Sequence, residues 1–177
     1  FDDITFFDEL RIDPFHRYLM EQYPGLTPEI QRLVDQLVNH RTCLTHGDYS
    51  PKNILIADDG DLILLDFEVA HWGNPVFDLA YCVGHLMLKG WALHREPESA
   101  DLINQFLESY GLETDPLLPH LGLLLLARLD GKSTVDYVTD DMLRARIRSV
   151  AQSWICFAED VPVMTFVNAA LGVDELL

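Results

Sequence analysis
The chain lacks several things that would have pointed to a particular class of protein. Its longest apolar run, Leu121 to Ala127, is far short of the roughly 18 residues that a membrane span requires. Cysteine is sparse. The 3 present, Cys43, Cys82 and Cys156, are scattered with no Cys-x-x-Cys spacing, an odd, sparse set that argues against a disulfide framework and fits a reducing cytosol. Each reads best as a small apolar core residue. Positive charge is scarce as well, with 12 Lys and Arg against 29 Asp and Glu, a net charge of −17. Nucleic acids and anionic membranes are recognised by basic surfaces, so neither is expected as a partner. The simplest account of the excess acid is a solvated surface, and a cationic ligand or bound metal is the alternative. No internal repeat, low-complexity tract or Pro/Gly/Ser-rich linker divides the chain, and no basic, apolar leader opens it.

What is present is a chain of 177 residues, 49% apolar and 23% charged, long enough for one domain with a real core. Residues 5–22 are expected to be helical, with Pro14 breaking or restarting the helix. Thr27-Pro28-Glu29 is a helix start, with Thr27 as N-cap and Pro28 first in the helix. Ile30, Leu33, Val34, Leu37 and Val38 then share one face, to an end near His40. Residues 42–51 are irregular and polar. Residues 53–57 and 62–66 read as two strands joined by the tight turn Asp58-Asp59-Gly60-Asp61, a β-hairpin. Helices follow over 76–89, 98–110 (closed by Gly111), 116–129, 140–157 and 161–170, with Ser133 capping a short turn. The fold class expected is mostly α, with a small hairpin.

The chemistry-bearing segment is His46-Gly47-Asp48-Tyr49-Ser50-Pro51-Lys52-Asn53, followed by Leu65-Asp66-Phe67-Glu68. Phosphoryl transfer needs an oriented hydroxyl that loses its proton, and magnesium to neutralise the nucleotide phosphates. Magnesium prefers carboxylate and amide oxygens. Asp48 can face the hydroxyl and Asn53 the metal, while the hairpin turns the chain back to bring Asp66 beside Asn53. Taken singly, each residue has a plainer use: Asp48 in an Asx turn, Asn53 as a strand-start cap, Asp66 at a strand-end turn. Their joint spacing favours the kinase reading. His71, His85, His94 and His120 show no metal-ligand spacing and read as core or surface residues. Lys52 is expected to be solvated, and the run Arg128 to Lys132 to form a loop salt bridge, with a substrate or nucleotide contact as the alternative.

This segment resembles the catalytic loop of the aminoglycoside phosphotransferase and choline kinase family, His-Gly-Asp, four residues, Asn. Residues 70–80 resemble its Gly-Asp-Pro, two residues, Asp-Leu-Ala pattern, with Asn74 in place of the first Asp. The resemblance implies a protein-kinase-like C-terminal lobe. It implies Asp48 as catalytic residue, Asn53 and Asp66 as magnesium ligands, and His46 and Asp78 as supports of the loop. Glu68 falls on the acceptor side. It also implies ATP or GTP as donor and a small-molecule hydroxyl as acceptor. A protein kinase lobe is disfavoured by Gly47 where that class has Arg, Glu68 where it has Gly, and the want of an Ala-Pro-Glu. No Gly-rich phosphate loop is present and residues 1–45 read as helices. The N-terminal nucleotide lobe is therefore expected to be a missing partner, and the chain alone to be folded but inactive. A truncated, non-catalytic lobe is the competing reading.

Overall fold
The computed structural model describes residues 1–111, 116–157 and 162–173. The chain opens with α1 (Thr5–Phe7), a π-helical segment (Asp8–Arg17) and α2 (Tyr18–Gln22), which run on without a break. Pro14 was expected to interrupt this stretch. Instead the backbone widens around it, and the Tyr18 N–H reaches back five residues to the Asp13 carbonyl. A proline has no N–H to give and its ring crowds the preceding turn, and a π-turn makes room for both defects. The carbonyl of Pro14 accepts from the Lys132 backbone N–H at 3.2 Å, outside the helix.

A 3₁₀ turn (Pro24–Leu26) leads into α3 (Thr27–Asn39). Thr27 is not the N-cap. Leu26 occupies that position, and the Thr27 hydroxyl instead approaches the Met20 carbonyl at 3.5 Å. Ile30, Leu33, Val34 and Leu37 are buried on one face as their spacing predicts.

Four short strands follow, two more than the sequence suggests. β1 (Cys43–Thr45) pairs antiparallel with β4 (His71–Gly73), and β2 (Ile54–Ile56) with β3 (Leu62–Leu64). The expected hairpin is the β2–β3 pair, closed by the Gly60 N–H on the Ala57 carbonyl and the Ala57 N–H on the Asp61 carbonyl, both 2.9 Å. The β1–β4 pair escapes sequence reading because three-residue strands 26 positions apart carry no local period.

α4 (Pro75–Leu93), α5 (Glu96–Tyr110), α6 (Leu117–Asp130), α7 (Asp141–Ile155) and α8 (Val163–Leu171) complete the fold. Gly111 caps α5 in the left-handed region, φ 61°. Asp140 is the N-cap of α7, its Oδ1 accepting from the Leu143 N–H at 2.6 Å. Val161, the expected start of the last helix, lies outside the described residues. Ser133 caps no helix. Its hydroxyl and carbonyl both accept from Arg128.

α6 is the centre of the core, buried over nearly its whole length between α4 and α7. Gly122 permits the close α6–α7 contact, since a Cβ there would stand 2.7 Å from the Ala151 carbonyl. The architecture is the mostly helical, kinase-like one expected. No helix of the described residues is long and apolar enough to cross a membrane.

Candidate active site
The loop between β1 and β2 is held at three points. Asp78, in the first turn of α4, accepts the His46 N–H at 2.6 Å and the Gly47 N–H at 2.8 Å, one on each carboxylate oxygen. His46 Nδ1 accepts the Asp48 N–H at 3.2 Å, so its Nε2 carries the proton and donates to the Leu65 carbonyl at 2.9 Å. That last bond ties the loop to the end of the hairpin, one residue before Asp66. Gly47 adopts φ 76°, and a Cβ on it would lie 2.8 Å from the Val69 carbonyl oxygen. Asn74, standing where the related pattern has Asp, caps α4 in the same way an Asp would, its Oδ1 accepting the Val76 N–H at 3.1 Å.

Asp48 is 2% exposed. Its Oδ2 receives the Asn53 amide and Lys52 Nζ, each at 2.9 Å, and Arg11 Nη2 at 3.3 Å. Its Oδ1 is buried with no hydrogen-bond partner. Burial by itself pushes the carboxyl up. The hydrogen bond from Lys52, the Arg11 charge and the Tyr81 hydroxyl outweigh it and hold Asp48 below its ordinary value, so it is ionised at neutral pH. Burial, and after it the same carboxylate, pushes the Tyr81 phenol above its usual range. For Asp78 the balance is opposite. Burial pushes it up, and its two N–H donors and His46 pull it back only part of the way.

Asn53 is buried at the end of a 3₁₀ turn (Pro51–Asn53), and its amide also donates to the Asp48 carbonyl at 2.9 Å. The Leu65 N–H donates to the Asn53 carbonyl at 2.9 Å, which places Asp66 directly beside the Asn53 strand. Asp66 is exposed and sits at φ 65°, the left-handed region that costs a non-glycine residue about 1 kcal/mol. Such a conformation re-aims the carboxylate out of the strand's alternation, and outliers of this kind gather at functional sites. Glu68 is exposed in the following turn. No group of three or more His, Cys, Asp or Glu side chains assembles into a metal-binding cluster among the described residues. Asn53 and Asp66 each carry a hard oxygen donor.

Arg11 and Tyr81 could not have been identified from the sequence. Arg11 lies on the π-helical segment, and besides Asp48 it donates from Nε to the Gly47 carbonyl at 2.8 Å. The only local sign was Pro14, which sets the wide turn, and π-turns recur at functional sites. Lys52 was expected to be solvated. Its side chain is 62% exposed, yet its ammonium pairs with Asp48. The Arg128 to Lys132 run forms no salt bridge within itself. Asp130 accepts two bonds from Arg148 on α7, at 2.7 and 2.8 Å, and one from the Tyr23 hydroxyl at 2.6 Å, while Lys132 pairs with Asp13 at 3.0 Å.

No curated protein matches the chain closely enough to count as a relative. A sequence model described as the phosphotransferase enzyme family matches residues 6–121. That span takes in the Arg11 segment, the whole loop from His46 to Asn53, the hairpin with Asp66, and the α4 turn whose Asp78 anchors the loop. A match over most of the chain that covers every element holding the loop leaves one assignment: this chain belongs to the phosphotransferase enzyme family.

Proposed function
We propose that the protein transfers the γ-phosphoryl group of ATP or GTP to a hydroxyl of a small molecule, with Asp48 facing that hydroxyl. The observation that carries this reading is the asymmetry of the Asp48 carboxylate. Three donors crowd Oδ2, and Oδ1 is buried and unpartnered. An acceptor O–H supplies the donor that Oδ1 lacks. A carboxyl held below its ordinary value is a weak base, so Asp48 acts chiefly by orienting the hydroxyl and stabilising its proton late in a loose transition state.

The oxygen donors Asn53 and Asp66 fit a hard divalent cation, and they would hold magnesium. When bound, the ion neutralises charge on the nucleotide phosphates. His46 and Asp78 keep Asp48 and Asn53 in register, and Glu68 stands on the acceptor side. Lys52, tethered only at its tip, is free to exchange Asp48 for a phosphate oxygen.

The β2–β3 hairpin exposes Leu55, Ile56, Leu62 and Ile63, with Ile56 76% exposed, and Leu44, Phe67 and Trp72 are exposed nearby. An apolar face of this extent beside the loop supports a covering N-terminal nucleotide lobe as partner. On this reading the 177 residues are one C-lobe, working in the cytoplasm, and by themselves bind nucleotide weakly and phosphorylate nothing. The test uses the 177 residues with and without an added N-terminal nucleotide lobe, with labelled ATP or GTP and magnesium. Asp48→Asn should cut turnover by about 10²–10⁴-fold, and Asp66→Ala should abolish it while the fold is kept. Equal turnover of parent and Asp66→Ala, or robust transfer by the isolated chain, overturns the corresponding assignment.

A further inference from the structure
Of the 12 basic side chains, Arg11 and Lys52 pair with the Asp48 carboxylate, and Arg128 and Lys89 are linked to it through a relay of aromatic rings, in a protein of net charge −17. The contacts form a continuous chain. Arg11 and Arg128 flank the Phe15 ring, their guanidinium carbons 5.9 and 5.7 Å from its centroid. Phe15 stacks on Tyr81 at 6.2 Å, and Tyr81 meets His85 at 4.9 Å. His85 Nδ1 lies 3.4 Å from the Tyr137 hydroxyl, and Lys89 Nζ sits 5.1 Å from the Tyr137 ring centre. Tyr81, His85 and Lys89 follow one another at four-residue spacing along one face of α4, leading away from Asp78. Lys89 therefore stands about 12 Å beyond Tyr81 along the helix axis.

Acid is scarce along this path. Asp13 is paired with Lys132, and Asp130 with Arg148 and Arg144. Among the described residues, Asp136, exposed beside Tyr137, also acts on the Tyr137 hydroxyl. His85 is neutral, pushed down to about 4 by burial and the Arg128 charge, so it adds no positive charge but offers polar nitrogens. Arg128 Nε, His85 Nε2 and Ser50 Oγ are all buried without partners, as is Asp48 Oδ1. Three of those four can donate to an oxyanion, and the fourth can accept from a hydroxyl.

The geometry points to a hydroxyl acceptor that itself carries an anionic oxyacid group, a carboxylate or a phosphate, seated by Arg128 and Lys89 while its hydroxyl meets Asp48. This rests on the phosphotransferase reading of Asp48 and names the acceptor class for that site. It runs against the alternative account of the net charge, a cationic ligand. A cation beside Asp48 would meet a carboxylate already paired with Arg11 and Lys52, and total charge does not report where charge sits. Arg11 and Lys52 touch Asp48 and suit the phosphoryl group in transit. Arg128 shares the Phe15 ring with Arg11, and Lys89 stands beyond His85 on the Tyr137 ring.

The test is an NMR titration of the 177-residue chain with D-glycerate, sn-glycerol 3-phosphate and choline, each a hydroxyl compound, at fixed ionic strength. One or both anions should bind and choline should not, and whichever anion binds tells carboxylate from phosphate. Lys89→Ala, an exposed position that leaves the fold alone, and Arg128→Ala should each weaken the anion by about tenfold. Asp48→Asn should leave anion binding unchanged or tighten it, because it removes a negative charge from the site. Choline binding, loosening of the anion by Asp48→Asn, no effect of Lys89→Ala, or no anion bound at millimolar concentration overturns the proposal. The kinase reading is judged separately by loss of transfer in Asp48→Asn, and either can fail while the other stands.

Discussion
Replacing Asp78 by Ala removes both acceptors that fix the start of the loop from His46 to Asn53. The His46 and Gly47 N–H groups, now bonded at 2.6 and 2.8 Å, lose their partners together. A buried donor left unsatisfied costs roughly 1–3 kcal/mol, and Asp78 is only half-buried, so water recovers part of the loss. Two donors at the low end of that range give about 2–3 kcal/mol. For a chain of this size that lowers Tm by roughly 4–12 °C. Urea unfolding should show the midpoint falling with an unchanged m-value. The ionisation of Asp78 adds a second signature. Its pKa is raised on folding, mainly by burial, so the folded state binds the proton more tightly than the unfolded one. Its contribution is therefore greatest in acid and declines as pH rises through the raised value. The gap between parent and Asp78→Ala should narrow in that direction. A loss under about 0.5 kcal/mol, within the range of surface substitutions, would refute the claim that Asp78 anchors the loop.

Three further outcomes follow from the geometry. His16 and His85, each pushed to about 4, and His120, pushed to about 3, are buried neutral, mainly by desolvation, against an ordinary 6.5. Unfolding should take up close to three protons near pH 5, and stability should be full above about pH 6.5 and fall steadily toward pH 4, as read from urea midpoints across pH. A flat profile over that window would contradict their neutral burial. Gly47→Ala must place a Cβ 2.8 Å from the Val69 carbonyl at φ 76°, and should destabilise by about 2–4 kcal/mol in calorimetry, with a near-neutral change as the contrary result. Arg11→Ala removes one of the cations holding Asp48 ionised, so carboxyl NMR should find the Asp48 pKa higher than in the parent, and an unchanged value would show that Lys52 suffices alone.

Local chemistry was legible in the residues themselves. The hairpin follows from alternating apolar residues around Asp58-Asp59-Gly60, the α3 face from a four-residue rhythm, and the end of α5 from Gly111, because each depends on neighbours in the chain. The spacing from Asp48 to Asn53 likewise reflects a single loop whose reach is set by five residues of backbone. Errors at this level were of the same local kind: Pro14 read as a break because the widened turn that rescues it needs packing support, and Thr27 as a cap because the preceding 3₁₀ turn moved the helix start by one residue.

What surrounds Asp48 was decided only in three dimensions. Arg11 comes to it across 36 residues of sequence at the Gly47 carbonyl, Tyr81 and His85 from α4, and Arg128 from the end of α6 by way of Phe15. No periodicity links these positions, and composition pointed the other way, toward acid. An amino-acid count sums charge over the whole surface, whereas the field at one carboxylate depends on the few cations within several ångströms of it. The loop from His46 to Asn53 and the hairpin before Asp66 could be read along the chain, and the sign of the charge around them belongs to the packing of α4, α6 and the π-helical segment.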